Sequence, residues 1–460
     1  MDAKQRLLDL LDRLISRGNQ HQFKLLFRKF HDADIAEALA LLTPEQRFLF
    51  FNRLTTSHSV DVFEELSPDI QIEIIQNFKT ENAAELIEEM DKDDAVDLLE
   101  ALLNEDHGQA TAILDKLPLE DQEELNRLLT YKEDSAGALM NTEFIEIPEN
   151  LHVRDALIRY KKASPSDSDA AFYLFIVNNY NQIKGVISVR KLLLAEPDSL
   201  VSDIRNNYPI KVNVNTDQED VANIFQKYRS IVLPVVDDLD IILGVITIDD
   251  VVDVVVEEAN EDILKLSGTS GDDIQNNKLI KGSILYSLVH RMPWLFVTIL
   301  GGIFASMIMI HYAEKLDFST VSLSFILSYV PLLMGLGGNV GNQSATILVR
   351  TLALSGVEHR LRIIFRETLV GGVIGTIIGA LVGGYVIAIT EHRLMAICIG
   401  ITIALNMAIA SFIGTALPIV LKSLKIDPAV ASAPFISSAL DIIGQVLYFT
   451  ITIYIFTLYL

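Results

Sequence analysis

The chain has 460 residues, half of them apolar, with 61 acidic against 37 basic residues and a formal charge of −24. Residues 268–460 hold 9 acids and 11 Lys/Arg, which leaves 52 acids and 26 Lys/Arg to a soluble body spanning residues 1–267. That charge repels nucleic acid and attracts cations, and a single cysteine, Cys398, excludes a disulfide within the chain.

Residues 1–130 read as an acidic, all-α domain. The opening stretch MDAKQRLLDLLDRLISRG is amphipathic and charged throughout, unlike a signal peptide, so the soluble part is expected in the cytosol. Thr43, Ser67 and Asp91 recur at a spacing of 24 residues as N-cap types. Pro44 and Pro68 suit the first helical position, and Thr43 with Gln46 fits a capping box. The period predicts a small superhelix of stacked helices, with an ordinary helical bundle as the simpler alternative.

A second repeat follows. FIVNNYNQIKGVISVRKLL (Phe175–Leu193) aligns with PVVDDLDIILGVITIDDVV (Pro234–Val252) at an offset of 59, matching Gly185 to Gly244. Each copy reads strand, turn, strand, helix. The duplication resembles a pair of CBS domains, at residues 139–198 and 203–262. Such α/β pairs are regulatory modules, and some bind adenine nucleotides. The ribose-contacting pattern G-x-x-T-x-x-D falls on Gly244, Thr247 and Asp250, whereas the first copy has Ser188 and Lys191 instead. The resemblance thus allows one site for ATP or another adenine nucleotide.

The second copy ends in TIDDVVDVVVEEANEDIL, with seven acids and no basic residue. Asp249, Asp253, Glu257 and Glu261 recur every four residues, and Glu258 and Asp262 add a second such pair. On a helix, each like-charged i,i+4 pair costs roughly 0.2–0.5 kcal/mol without a counterion. The linker Ser267–Gly271 ends the soluble part and the helical stretch DIQNNKLIKGSILYSLVHR then leads to the membrane; the connecting helix is expected over residues 263–290.

The transmembrane domain spans residues 291–460, with five hydrophobic segments at about 292–313, 320–346, 368–389, 394–421 and 430–460. At ~1.5 Å rise per residue each can cross ~30 Å of hydrocarbon. Arg350, Arg360, Arg362, Arg366, Lys422 and Lys425 lie in two loops, against Lys315 and Arg393 in the other two. The positive-inside rule places the N-terminal body in the cytosol and the C-terminus outside.

In the second segment, PLLMGLGGNVGNQS (Pro331–Ser344) puts Pro331, Gly335, Asn339 and Gln343 at i, i+4, i+8 and i+12. The glycines permit close helix approach. They are also expected to weaken the helix at its cytosolic end, turning carbonyls toward a wet cavity. The amide oxygens of Asn339, Asn342 and Gln343 complement a hydrated divalent cation; the alternative is a glycine-rich packing face. In the last segment, Asp441 lies near mid-bilayer, where a carboxylate costs at least ~2.5–3.5 kcal/mol. Ser437, Asp441 and Gln445 follow at i, i+4, i+8 as one polar face. They form a cation site in a wet pathway or, alternatively, surround a protonated Asp bonded to a neighbouring helix. Asp441 is the one ionisable side chain deep in any segment, so a site of several carboxylates needs a second subunit.

PLLMGLGGNVGNQS, IDPAVASAPF and SALDIIG together resemble the MgtE family of magnesium channels, and the arrangement matches over nearly the whole chain. The resemblance implies a homodimer with a pore on the two-fold axis, lined by the second and fifth membrane helices. It places the pore aspartate at Asp441 and the entrance aspartate of a D-P-A motif at Asp427. It also implies Mg²⁺, where the residues alone imply a divalent cation. Mg²⁺ sheds water reluctantly and prefers oxygen. Softer metals favour Cys or His, but Cys398 is alone, and His290, His311, His359 and His392 sit near segment ends.

The expected fold is therefore multidomain: a superhelical all-α N-domain, an α/β CBS pair and a five-helix membrane domain. Mg²⁺ is expected to bridge the acids of residues 249–262 to Asp91, Asp93, Asp94 and Asp97, and to Asp427, drawing the domains together and shutting the pore. A solvated acidic face is the plainer alternative. The expected function is a Mg²⁺ channel in the plasma (inner) membrane, a homodimer in the lipid bilayer. Its rivals are a coupled divalent-cation transporter and a membrane-anchored CBS sensor. The chain has no phosphate-binding Walker loop, metalloprotease motif or nucleophile–base pair that would make it an enzyme.

Overall fold

Short helices between cap residues build the N-terminal part of the chain. They are α1 (Ala3–Arg17), α2 (Gln20–Phe27), α3 (Asp32–Leu39), α4 (Pro44–Phe51), α5 (Val60–Glu64), α6 (Pro68–Asn77), α7 (Thr80–Glu88), α8 (Lys92–Glu105), α9 (His107–Leu114) and α10 (Leu119–Leu128). The computed structural model describes residues 3–18, 20–54, 59–163, 172–206, 210–269, 283–316, 321–355, 360–424 and 426–459. It divides into two units, Met1–Val256 and Glu257–Leu460.

In the first unit, Thr43 caps α4 reciprocally: Gln46 N–H donates to Thr43 Oγ1 at 3.4 Å, and Thr43 N–H donates to Gln46 Oε1 at 3.1 Å. Ser67 and Asp91 occupy the N-cap positions of α6 and α8, but neither side chain bonds the helix it precedes. The Asp91 carboxylate is thereby left for other partners. Each helix buries one stripe, including Leu11, Ile35, Phe50, Phe63, Ile75, Ile87, Leu99 and Ile113. Edge-to-face rings run from Phe23 through Phe50 and Phe51 to Phe63, with centroids 5.2–5.6 Å apart.

The duplicated region forms β1 (Glu146–Pro148), α11 (Val153–Ala163), β2 (Tyr173–Val177), β3 (Ile183–Ser188), α12 (Val189–Leu194) and α13 (Val201–Ile204). The second copy has β4 (Val212–Asn213), α14 (Gln218–Tyr228), β5 (Val232–Val236), β6 (Ile242–Thr247) and α15 (Ile248–Leu266). Each copy is a three-stranded sheet in sequence order, its first pair parallel and its second antiparallel. Phe175 faces Val186 as Pro234 faces Val245, and both hairpins shift register at the same place, Ile176/Val177 and Val235/Val236. The sequence offset is thus reproduced residue for residue. Gly185 and Gly244 are needed because a Cβ would lie 2.6 Å from Asn206 O and 2.8 Å from Asn141 O. α15 continues the second copy's final helix to Leu266.

The second unit holds α16 (Ile284–Ala313), α17 (Leu323–Leu327), α18 (Val330–Ser355), α19 (Arg360–Ile389), α20 (Arg393–Ser423) and α21 (Ala433–Tyr459). Five spans are long and apolar enough to cross a membrane, at 284–316, 323–352, 361–389, 393–423 and 433–459. Of the connecting segment and linker, residues 270–282 lie outside the described residues, as do His359 and Lys425. From Ile284 onward the connecting helix and the first membrane segment are one helix, with Pro293 inside it.

One expectation needs correction. α18 is continuous through Gly335, Gly337, Gly338 and Gly341, so the glycine-rich run neither ends nor opens its helix, and it lies mid-span rather than at one end. Each glycine in a helix interior costs ~1 kcal/mol relative to Ala, and close packing offsets that here. A Cβ on Gly414 of α20 would fall 2.2 Å from Gly341 O, and one on Gly341 would fall 2.3 Å from a Leu440 methyl of α21. Farther along α20, a Cβ on Gly379 of α19 would meet Gly400 O at 2.4 Å.

Candidate cation sites

The first site gathers at the start of α8. Asp91, Asp93 and Asp94 each place a carboxylate oxygen within 4.8 Å of the others. Glu64, the last residue of α5, joins them: its Oε1 accepts the Asp91 N–H at 2.9 Å. From the first turn of α15, Asp250 faces the same acids; its carboxylate accepts from the Thr247 hydroxyl and N–H.

Burial pushes the Glu64 carboxyl up to about 7, with Asp91, Asp61 and Glu65 adding repulsion. Burial likewise holds Asp93 well above the usual carboxylate range, reinforced by Asp250, Asp94 and Asp91. Asp250 rises to about 6, because burial and its neighbours Asp249 and Asp91 outweigh the help from Thr247. Burial raises Asp94 as well, with Glu64, Asp97 and Asp250 contributing, although its side chain keeps an exposed edge through which a hydrated ion can approach. Lys92, beside these acids in sequence, turns instead to Asp121 at 3.1 Å. Asp93 Oδ1 is buried with no hydrogen-bond partner among the described residues. A half-buried, all-oxygen cluster with an orphaned acceptor fits a hard divalent cation.

Asp97 thus belongs to this neighbourhood, whereas Asp249 and Asp253 are exposed on α15. Gly244 and Thr247, singled out for a nucleotide, pack close by. Gly244 lies against Met140 and Asn141, and Thr247 is tied to Asp250. Asp250 therefore stands in both candidate sets.

In the second unit, the remainder of α15 carries Glu257, Glu258, Glu261 and Asp262, all partly buried. Lys265 reaches from the helix's last turn to Asp427 Oδ2 at 2.7 Å and also pairs with Glu261. Burial opposes the lysine's charge, but the bonds to Asp427 and Glu261 prevail and raise it above the ordinary range. Burial pushes Asp262 up to about 6, with Asp427 and Glu261 adding to the effect and Lys265 and Lys422 opposing it. Asp427 Oδ1 also accepts the Ala429 N–H at 2.8 Å, capping the short turn Pro428–Val430. Its motif is thus an N-cap followed by proline at the first helical position.

The third site lies between the membrane helices. Pro331, Gly335, Asn339 and Gln343 are all exposed along one face of α18, and a Cβ on Gly335 would meet nothing within 4 Å. Asn342, partly buried, donates to Ser437 Oγ on α21 at 3.2 Å. One turn farther along α21, Asp441 is partly exposed and makes no hydrogen bond or ion pair to any described residue. Gln445, on the same stripe by spacing, is instead buried against Met334 Sδ at 3.3 Å. Asn406 of α20 wedges behind the pair: its Nδ2 donates to Leu333 O at 3.0 Å, and it fills the space left by Gly337 and Gly444.

Glu64, Lys265 and Asn406 were not among the residues expected from sequence. Glu64 arrives from 27 residues upstream of Asp91, and no local pattern marks it. Lys265 stands one residue past the acidic stretch. Asn406, a lone amide in an apolar run, was the readable signal of the three.

Family models match most of the chain: the MgtE intracellular N domain at residues 30–134, the CBS domain at 136–198 and 201–257, and a divalent cation transporter model at 330–451. A magnesium transporter MgtE of Thermus thermophilus is 32% identical over 450 residues, covering 97% of this chain and 98% of that protein. One from Enterococcus faecalis is 34% identical over 336 residues, covering 72% and 71%. Among solved structures, the soluble part of a magnesium transporter aligns at 32% identity and TM-score 0.52, covering 56% of this chain and 99% of that one. The cytosolic domain of the Mg²⁺ channel MgtE in complex with ATP aligns at 31% and 0.51, covering 54% and 99%. With its three kinds of domain in this order and a relative matched along its whole length, the chain belongs to the MgtE family of divalent cation transporters.

Proposed function

We propose that the chain is a homodimeric Mg²⁺ channel of the plasma membrane, with cytosolic N-terminal domains and an outer C-terminus, that is shut by cytosolic Mg²⁺. The observation that carries this reading is Asp441: a carboxylate inside the membrane span 433–459, nearer its N-terminal end, with no bonding partner among the described residues of its own chain. The alternative of a protonated Asp bonded to a neighbouring helix lacks its acceptor there. On α18, which meets α21 through Asn342 and Ser437, the open face offers Asn339 and Gln343. Two such faces around a two-fold axis supply two carboxylates and a ring of amides, suited to an ion that keeps most of its water.

Closure is assigned to the acid clusters. Asp91, Asp93, Asp94 and Asp250, with Glu64 beside them, would hold Mg²⁺ in the N-terminal unit; Asp427 with Glu261 and Asp262 would do so at the pore mouth. The ion supplies charge neutralisation, and the chain's acids supply the repulsion that works against the compact state when the ion is scarce. A ligand shifts such an equilibrium only through its preference for one state, and sites that assemble only on compaction provide that preference. An adenine nucleotide at the CBS pair, as in the ATP-bound relative, is proposed as a second input. Mg²⁺ uptake into liposomes tests the pore: wild type should fill and Asp441→Ala should not. Equal filling would refute the reading.

A further inference from the structure

The N-terminal end of this acidic protein is basic. Residues 1–31 carry seven Lys/Arg and three acids, whereas residues 32–267 carry a charge of about −30. α1 and α2 also precede the part of the chain that matches the family's N domain, which begins at residue 30. In α2, Phe23 and Leu26 are buried, at 2% and 1% exposure, and fix which side faces outward. His21, Lys24, Leu25 and Arg28, at i, i+3, i+4 and i+7, lie on that outer side and are exposed, as is Lys29; Leu25 is 50% exposed. Among the described residues no carboxylate pairs with Lys24, Arg28 or Lys29, and Lys29 leans over the Phe30 ring. Asp32 and Asp61 border the same shallow hollow as Lys24, Phe27 and Arg28.

We propose that this face of α2 docks on the anionic lipid surface of the membrane in which the chain is itself embedded. Three cations around an exposed leucine complement acidic headgroups, and the leucine can enter the boundary between headgroups and acyl chains. The rest of the soluble body is strongly negative and would be repelled by the same surface, which leaves the basic N-terminal end as the part suited to it. Each basic side chain near such a surface is worth about a fivefold preference, so three give roughly a hundredfold. The chain's own membrane spans keep the local lipid concentration high, so that preference is enough to hold the contact. The inference requires only that the protein be embedded in a membrane, whatever ion it carries.

The test uses the full chain in nanodiscs of phosphatidylcholine alone or mixed with phosphatidylglycerol. Leu25→Cys in a Cys398→Ser background carries an environment-sensitive dye; on unlabelled wild type, tryptic cleavage at Lys24, Arg28 and Lys29 is timed in parallel. With phosphatidylglycerol the dye emission should shift to the blue and cleavage should slow by tenfold or more. Both effects should vanish in high salt, and the blue shift should also vanish in K24Q/R28Q/K29Q, where the dye is the readout because the tryptic sites are gone. Identical behaviour in the two lipids overturns the proposal. So does a signal that salt and the glutamine variant abolish but lipid composition does not alter, because α2 would then rest on the chain's own acidic surface.

Discussion

Glu64→Gln isolates what the acid cluster costs the N-terminal unit. The glutamine amide oxygen can still accept the Asp91 N–H that Glu64 accepts at 2.9 Å, so the substitution removes charge while keeping the bond. Burial raises the Glu64 carboxyl from 4.5 to about 7. At 1.36 kcal/mol per pKa unit, that is ~3 kcal/mol of lost preference for the charged form. The folded unit binds a proton here more readily than the unfolded chain does. The contribution of Glu64 to stability is therefore fully present below about 4.5, is lost as pH rises toward 7, and stays absent above that. At pH ~8 without Mg²⁺, Glu64→Gln should melt higher than wild type, by up to ~6–12 °C for a unit of this size. At pH ~4.5 the two should coincide, since both are then neutral at this position. Added Mg²⁺ should raise the wild-type melting temperature more than the variant's, because the ion finds one carboxylate fewer. The measurement is circular dichroism of the detergent-solubilised full chain, following its first transition. Equal melting temperatures at the higher pH, or a difference that persists unchanged at the lower one, would refute the reasoning.

Lys265→Met removes the cation held between Asp427 and Glu261; the Mg²⁺ concentration that half-closes the pore in liposome flux should fall about tenfold, within the usual range of coupling energies. Gly414→Ala should destabilise the membrane unit by ~1–3 kcal/mol through overpacking against α18, read as a lower melting temperature in detergent. Gly335→Ala, where a Cβ would meet nothing within 4 Å, should match wild type in that assay. Single-channel currents across a planar bilayer should accompany Mg²⁺ flux, and transport too slow to produce them would favour a coupled carrier over a channel.

What could be read beforehand was whatever the chain encodes locally. The Thr43–Gln46 cap, the paired hairpins and the five spans each follow from residues a few positions apart, and their geometry came out as the spacing required. Two kinds of feature resisted that reading. The glycine-rich run was expected to open its helix because glycine is a poor helix former, but tertiary packing overrode propensity: Gly341 is an approach surface for Gly414 and Leu440. The partners within the acid clusters depend on contacts distant in sequence. Asp91, Asp93 and Asp94 were recognisable as clustered acids, and Asp250 as part of a stretch with no basic residue, yet nothing near them announced Glu64. Likewise, the open face of α18 was legible as an i, i+4 stripe, whereas the burial of Gln445 depends on where Met334 falls on another helix.

The two acid clusters meet the same electrostatic problem with different means. At the start of α8, Lys92 is committed to Asp121, and Glu64, Asp93 and Asp250 are left in a buried environment that disfavours their charges. Near Asp427 the chain brings its own cation: Lys265 sits among Glu261, Asp262 and Asp427 and offsets part of their repulsion. A divalent ion arriving at the first cluster relieves a penalty that no ion pair among the described residues offsets, whereas at the second it must displace or share with an ammonium already in place. The first cluster should accordingly fill at lower Mg²⁺ than the second. Hydrogen exchange followed during a Mg²⁺ titration can order the two events, with the peptide around Asp91 slowing before the one around Asp427. The reverse order would mean that Lys265 assembles the second site rather than competing for it, and Lys265→Met would then raise the Mg²⁺ needed for closure instead of lowering it.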